Sequence, residues 1–543
     1  MFTQRRSGIL LHPTSLPSSY GIGDLGASAH TFLNNLKNAG QTLWQILPLC
    51  PVDQSGSPYQ SASAFAGEPL LLSPELLMED GLLTKEDLEA AKLPPVKRTD
   101  YKKAKAVKLP LLKKAFAAFE AKERPADYEE FLEKNADWLE DYALFTALKA
   151  HFSEERAENG DESGFEAYLK ETKSTLPREV LRGYFEGAAW NTFPKGIRKR
   201  DPRSIRKWSR VLSRETEEAK FYQYAFGKQW QALREAAHEN GISIIGDAPI
   251  FLAFDSADVW ANQKLFLLDS EGFPTAVAGV PPDCFSETGQ LWGNPLYAWK
   301  QHAKTDYEWW LRRIEKALSD VDILRLDHFR GFDTYWKIPF GAEDATGGTW
   351  EKGPSKPFFD ALEKKLGSLP IIAEDLGTLT ESAKKLREDT GFPGMRILQF
   401  AFGADKNNPY LPHSCEKNTV IYTGTHDNDT TKGWYETASE QEKDHFRRYM
   451  NVSGENAPWD LIRLAFSSPA VFAVIPLQDV FGLGTEDRMN LPGTAEGNWG
   501  FSFSFDLWTE GCTEGLLYLS ELFGRNGDAP VFTDVRKDGE DGR

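Results

Sequence analysis

Cysteine is scarce in this chain of 543 residues. There are four, Cys50, Cys284, Cys415 and Cys512, widely separated and with no C-x-x-C pair. That spacing excludes a disulfide framework and a cysteine zinc site, and it fits a reducing, cytoplasmic compartment. Long apolar runs are missing as well. No stretch approaches the roughly 20 apolar residues of a bilayer span, so no membrane partner is expected. After Arg5-Arg6 the apolar run is only Ile9-Leu10-Leu11, broken by His12-Pro13. That is too short for a signal peptide, twin-arginine type included. Positive charge is in deficit, with 63 Lys and Arg against 81 Asp and Glu, a net charge of -18. Phosphates would be repelled, so non-specific nucleic-acid binding is excluded. There is no H-E-x-x-H and no complete calcium loop, because Lys432 stands where the loop that starts at Asp427 needs glycine.

Aromatics, by contrast, are plentiful, with 16 Trp and 17 Tyr. Most such rings belong to cores, but aromatic faces also stack on sugar rings, and an acidic, aromatic-rich protein suits a carbohydrate ligand. Length alone suggests two to four domains, although barrels with insertions reach this size as one unit.

The chain opens strand-helix-strand: Gly8 to Leu11, a helix capped by Asp24 and running to about Ala39, then Thr42 to Leu49. A Gly/Ser/Pro-rich loop follows at 55–60. From about 74 to 214 the pattern turns helical, in runs such as Tyr101 to Lys122 and Tyr128 to His151. This reads as an insertion packed on the main fold, with its lysine-rich stretch a solvated face. Strand-like runs then return at Ile242–Ile245, Ile323–Leu326, Pro370–Ala373, Met395–Phe400, Val420–Thr423 and Val471–Leu477, separated by helical patterns. Eight strands with intervening helices predict an α/β chain folded as a (β/α)8 TIM barrel. The large helical insertion falls between strands 2 and 3. The expected organisation is one catalytic barrel over 1–543, interrupted by the 74–214 subdomain. The 255–300 segment, rich in Pro, Gly and aromatics, is expected as a loop region over the site. A doubly wound open sheet is the alternative, but Gly21-x-Gly23 lacks the third glycine of its usual fingerprint.

Carboxylates end the strands. Asp247, Asp327, Glu374 and Asp427 each follow an apolar run closely, and in a barrel such positions share the bowl at the carboxyl face. One such acid is commonly a helix cap. Four, with Arg325, His328 and His426 beside them, point to chemistry. The period of two in D-I-L-R-L-D places Arg325 on the same face as Asp327, where its guanidinium would keep the carboxylate ionised. Paired carboxylates without a metal signature suit glycoside chemistry, with one attacking the anomeric carbon and the other protonating the leaving oxygen. The pattern leaves open whether Glu374 or Asp375 faces inward. Asp427-x-Asp429-x-Thr431 matches an aspartate-phosphatase motif, but it lies far from the first strand, where those enzymes carry it.

S-P-Y-Q at 57–60, G-D-A-P-I at 246–250, the W-G-N-P loop at 292–295, R-L-D-H-F-R-G at 325–331, A-E-D-L-G at 373–377 and T-H-D-N at 425–428 together resemble the 4-α-glucanotransferases. These are the amylomaltases or disproportionating enzymes, related to the α-amylase superfamily. The resemblance spans about residues 7 to 510, with the motifs in family order. It implies Asp327 as nucleophile, Glu374 as general acid/base and Asp427 as transition-state stabiliser. Arg325, His328 and His426 resemble residues that orient the nucleophile and bind the sugar at the cleavage point. Tyr59, Asp247, Trp292 and Asn490 resemble substrate-binding positions. Cys284 departs from the pattern, where an aromatic is common. The implied substrates are α-1,4-glucans and maltooligosaccharides, with no cofactor and no metal, and the expected assembly is a monomer or weak homo-oligomer. A retaining α-glucan hydrolase is the alternative activity, and a non-catalytic glucan-binding barrel a third reading. The 280–295 loop, with Phe285 and Trp292, and the 55–60 loop, with Tyr59, are expected to build the acceptor site.

Overall fold

The computed structural model describes residues 2–53, 55–159, 162–282, 286–377, 379–403, 407–494 and 496–527. Its strands are β1 (Arg6–Leu10), β2 (Leu43–Gln45), β3 (Ser243–Ala248), β4 (Ala276–Val280), β5 (Gln290–Pro295), β6 (Ile323–Leu326), β7 (Thr334–Pro339), β8 (Thr349–Lys352), β9 (Ile371–Ala373), β10 (Gly394–Ile397), β11 (Thr419–Tyr422) and β12 (Phe472–Pro476). Eight of them pair in parallel, in the order β10-β11-β12-β1-β2-β3-β6-β9. The two ends of that order meet. The amide of Ala373 donates to the carbonyl of Pro393 at 2.9 Å, and the Met395 amide to Asp375 Oδ1 at 2.7 Å. The sheet therefore closes as a (β/α)8 barrel, and the open-sheet alternative falls.

The apolar runs follow from this closure. Strands covered by helices outside and by each other inside are buried on both faces, so β6, β9, β11 and β12 are buried along their whole length. Packing inside is close. A Cβ on Gly8 of β1 would lie 2.1 Å from the carbonyl oxygen of Leu43 on the next strand, so only glycine fits there.

The helical insertion leaves the barrel after β2 and returns through the helix Ser213–Glu239, which leads directly to β3. Its helix Tyr101–Glu120 is pinned by Lys108. This lysine is fully buried, with Nζ 3.0 Å from Asp24 Oδ2 and 2.7 Å from the Leu70 carbonyl. A buried ammonium is tolerated only when paired in this way. The same contact corrects one expectation. Asp24 does not cap the first helix, which starts at Ala27 with Gly26 as N-cap. The Lys108 charge takes its carboxylate instead.

The 255–300 segment contains regular structure. Besides the short helices Ala257–Ala261 and Trp299–Lys304, it supplies β4 and β5. These join β7 and β8 in a four-stranded antiparallel sheet, in the order β5-β4-β7-β8. This lid sheet stands beside the carboxyl end of β6, because β7 follows Phe329–Phe332, the short 3₁₀ turn just after Asp327.

Candidate active site

Arg325 sits on β6 directly opposite Asp247 on β3 in the parallel register. That register explains their contact. Arg325 Nη1 lies 2.8 and 2.6 Å from the two Asp247 oxygens. Its Nη2 lies 2.9 Å from Asp327 Oδ1. The guanidinium thus bridges two carboxylates, as the shared face of Arg325 and Asp327 predicts. Both members of the inner pair are enclosed, with side-chain exposures of 4% for Arg325 and 0% for Asp247, whereas Asp327 opens to the cleft at 29%. Burial opposes charge on Arg325, but Asp247 and Asp327 outweigh it and hold the guanidinium firmly protonated. Tyr59 completes this side by donating its hydroxyl to Asp247 Oδ2 at 2.7 Å. Desolvation and the Asp247 charge keep that phenol protonated.

The chain turns sharply after Asp327. His328 adopts a left-handed conformation, φ 49° and ψ 50°, which costs a non-glycine residue about 1–3 kcal/mol. The turn delivers the His328 amide to Glu374 Oε2 at 2.7 Å. The other oxygen, Oε1, accepts from the Leu376 amide at 3.0 Å. Two backbone donors therefore orient the Glu374 carboxyl beside Asp327. Asp375 points elsewhere, into the β9–β10 seam, where it accepts from the Met395 amide and lies 3.5 Å from both Arg387 and Arg396. The choice between neighbouring acids, undecided by pattern, is made by this seam.

Desolvation in the cleft and the nearby Asp327 charge push the Glu374 carboxyl up to about 8, against the pull of Arg325. Desolvation also lowers His328 to about 4, although Asp327 opposes the shift. Its imidazole is neutral near pH 7 and meets the indole of Trp292 edge to face, ring centroids 5.0 Å apart. Trp292 arrives on β5, so the lid sheet supplies one wall of the site.

The β11 end supplies the third carboxylate. Asp479, buried after β12, ties the following loop down by accepting from the Thr423 hydroxyl at 2.5 Å and the Thr431 amide at 2.6 Å. Within the loop, Thr425 donates twice to Asn428 Oδ1. Asp427 stands half-exposed, at 45%. Its Oδ1 accepts from Asn490 Nδ2 at 2.7 Å and lies 3.3 Å from His426 Nε2. Arg488 donates to its carbonyl at 2.9 Å. The Tyr59 ring stacks on His426, centroids 5.3 Å and planes 13° apart, which joins the two halves. Asp429 and Thr431 of the phosphatase-like motif are engaged internally, with Thr485 and Asp479.

The structure thus brings together all ten residues singled out in the sequence: Asp327, Glu374, Asp427, Tyr59, Asp247, Trp292, Arg325, His328, His426 and Asn490. Cys284 and Phe285 lie outside the described residues. Sequence reasoning missed Trp499, which packs on Tyr59 at 5.6 Å and on His426 at 6.1 Å, and Arg488 and Asp479, which hold the Asp427 loop. No local pattern marks Trp499 or Arg488, because each acts through a contact distant in sequence, whereas Asp479 follows the Val471–Leu477 run and shares the strand-end pattern of the other acids. Among the described residues no group of three or more His, Cys, Asp or Glu is arranged to hold a metal ion.

Comparison with known proteins agrees with this geometry. The model of glycoside hydrolase family 77, described as 4-alpha-glucanotransferase, matches residues 11–506. The 4-alpha-glucanotransferase of Synechocystis sp. is 45% identical over 534 residues, covering 97% of this chain and 99% of that one. The Thermus thermophilus 4-alpha-glucanotransferase is 45% identical over 506 residues, 91% of this chain and 94% of its own. Among solved structures, an amylomaltase from Streptococcus agalactiae in complex with acarbose superposes with a TM-score of 0.88 at 35% identity, covering 96% of this chain and all of that one. With the motifs in order, the barrel closed and the three carboxylates around one cleft, this chain belongs to the 4-α-glucanotransferases of glycoside hydrolase family 77.

Proposed function

We propose that this enzyme moves α-1,4-glucan segments from a donor to the 4-hydroxyl of an acceptor by retaining double displacement. An Asp327 oxygen attacks C1 of the donor sugar as the C1–O4 bond breaks, and the proton on Glu374 passes to the departing O4. A β-glucosyl ester on Asp327 results. Glu374, now ionised, takes the proton from the acceptor 4-hydroxyl, whose oxygen displaces Asp327 and restores the α-linkage. Asp427, steadied by Asn490, faces the positive charge that develops at the ring. Asp247 acts from behind, holding Arg325 and Tyr59.

The observation that carries this reading is the pairing of unlike environments. Arg325 Nη2 pairs with the Asp327 carboxylate at 2.9 Å, while desolvation and the Asp327 charge raise Glu374 to about 8 and keep its proton on near pH 7. A carboxylate paired with a guanidinium and an enclosed carboxyl raised in this way divide the roles of nucleophile and acid. The retaining mechanism expects their oxygens about 5–5.5 Å apart.

Transfer must compete with water at tens of molar. A positioned acceptor hydroxyl can reach effective molarities of roughly 10⁵ M, and the Trp292 and Tyr59 walls are the candidates for positioning it. The free thiols of Cys50, Cys415 and Cys512 support a cytoplasmic location.

Maltotriose alone tests the activity. Transfer yields glucose and longer oligosaccharides at nearly constant reducing ends. A steady rise in reducing ends, with nothing longer than maltotriose, means a hydrolase.

A further inference from the structure

Tryptophan is costly to leave in water, and among the described residues of this chain only one tryptophan is exposed. Trp350, on the edge strand β8, shows 41% of its surface. Its indole is held rigidly. The Arg330 guanidinium stacks on the ring at 3.9 Å, and Trp336, its partner across the β7–β8 ladder, meets it edge-on at 5.0 Å and 64°. The two indoles differ in their hydrogen bonding. Trp336 donates Nε1–H to the Ala345 carbonyl at 2.8 Å, and the backbone of Gly348 lies so close that a Cβ there would come 2.3 Å from that nitrogen. Among the described residues Trp350 Nε1–H has no acceptor.

The lid sheet extends the feature. Leu291 on β5 pairs with Gly279 on β4, Gly279 with Trp336 on β7, and Trp336 with Trp350 on β8. Residues directly opposite in antiparallel strands share a face, so these four form one row. Leu291 and Trp350, at its two ends, are exposed at 42% and 41%. The row spans roughly 14 Å, three strand spacings of about 4.8 Å. Trp292, adjacent to Leu291, points the opposite way, toward His328. The row therefore lies on the lid face turned away from the catalytic carboxylates.

We propose that this outer lid face is a second α-glucan-binding site, with Trp350 as its stacking platform. A glucose ring presents an apolar C–H face to an indole and rims it with hydroxyls. A rigid exposed indole with this N–H and a neighbouring guanidinium matches both features. Only a long glucan would use this site, because a short one is fully engaged in the cleft. The inference takes its ligand class from the proposed activity, so maltotriose turnover serves as the control for that reading.

The test compares Trp350→Ala and Trp350→Phe with the parent enzyme on amylose and on maltotriose. The alanine variant is expected to raise KM for amylose about three- to tenfold and leave kcat and KM for maltotriose unchanged, with Trp350→Phe recovering part of the loss. An unchanged KM for amylose overturns the site. An equal loss on both substrates also overturns it, since Trp350 would then only support the lid. In the parent enzyme, N-bromosuccinimide should oxidise Trp350 first, and amylose should slow that oxidation where maltotriose does not. Equal protection by the two sugars, or none, contradicts the proposal without depending on a variant that folds.

Discussion

At the end of β6 a carboxylate is held by buried charge carried on the strands themselves, whereas at the end of β11 a carboxylate is held by groups brought in on loops. Asp327 is fixed by Arg325, which Asp247 fixes in turn through the β3–β6 register. Asp427 is more exposed, and its side-chain donor, Asn490, comes from a segment without regular structure. The difference suits the two tasks proposed for them. A nucleophile must stand in line with one bond, and misplacement by about 1 Å costs about 10²-fold. A stabiliser of developing charge acts over a longer range and tolerates a looser mount.

Four substitutions or titrations probe this contrast, starting with the largest effect. Asp327→Asn removes the covalent step and should lower kcat by about 10⁴-fold, each tenfold being about 1.4 kcal/mol of barrier. Glucan binding, followed by calorimetry, should survive. A variant that keeps more than about a tenth of the rate would mean another nucleophile.

Arg325→Ala strands two carboxylates beside each other. Breaking a buried pair by removing one partner costs about 3–5 kcal/mol, which denaturant unfolding would register along with the lost activity. Asn490→Ala removes one hydrogen bond to a half-exposed acid, where solvent can replace the lost donor. It should slow kcat about tenfold or more and leave unfolding almost unmoved. If the two variants destabilise the fold equally, the contrast between strand-borne and loop-borne support is wrong.

The pH profile is the gentlest probe. In the proposed mechanism Glu374 must carry a proton to release the leaving group, so kcat/KM falls as pH rises through its pKa. With that carboxyl raised to about 8, the alkaline limb should lie near pH 8. An ordinary glutamate would place it near about 4.3. His328, lowered to about 4, should add no limb between these values. Asn490→Ala should leave the alkaline limb in place, because Asn490 touches Asp427 and not Glu374.

Much of this site was legible from local order. The alternation in D-I-L-R-L-D places Arg325 beside Asp327, and the repeated acid after an apolar run locates the bowl. Where contacts join distant segments, local order was silent. Glu374 and Asp375 both follow an apolar run, and only the Arg387 and Arg396 charges across the β9–β10 seam show which one turns away. Asp24 has the look of a helix cap until Lys108, 84 residues later, claims it. β4 and β5 read as loop in the sequence because the connection between them is too long to carry a tight hairpin signal, and because β4 finds its other partner, β7, beyond the intervening β6. Trp499 has no local mark and is recognised only by the rings it meets.

The central claim is a glycosyl ester on Asp327, and trapping it tests that claim most directly. In a Glu374→Gln variant supplied with α-maltosyl fluoride, fluoride leaves C1 without acid assistance as an Asp327 oxygen bonds to it. No base remains to activate an acceptor, so the ester should accumulate. Digestion and mass spectrometry should then find one maltosyl mass on the peptide containing Asp327, removed by mild alkali. Fluoride release with no adduct, or an adduct on another carboxylate, would contradict the account.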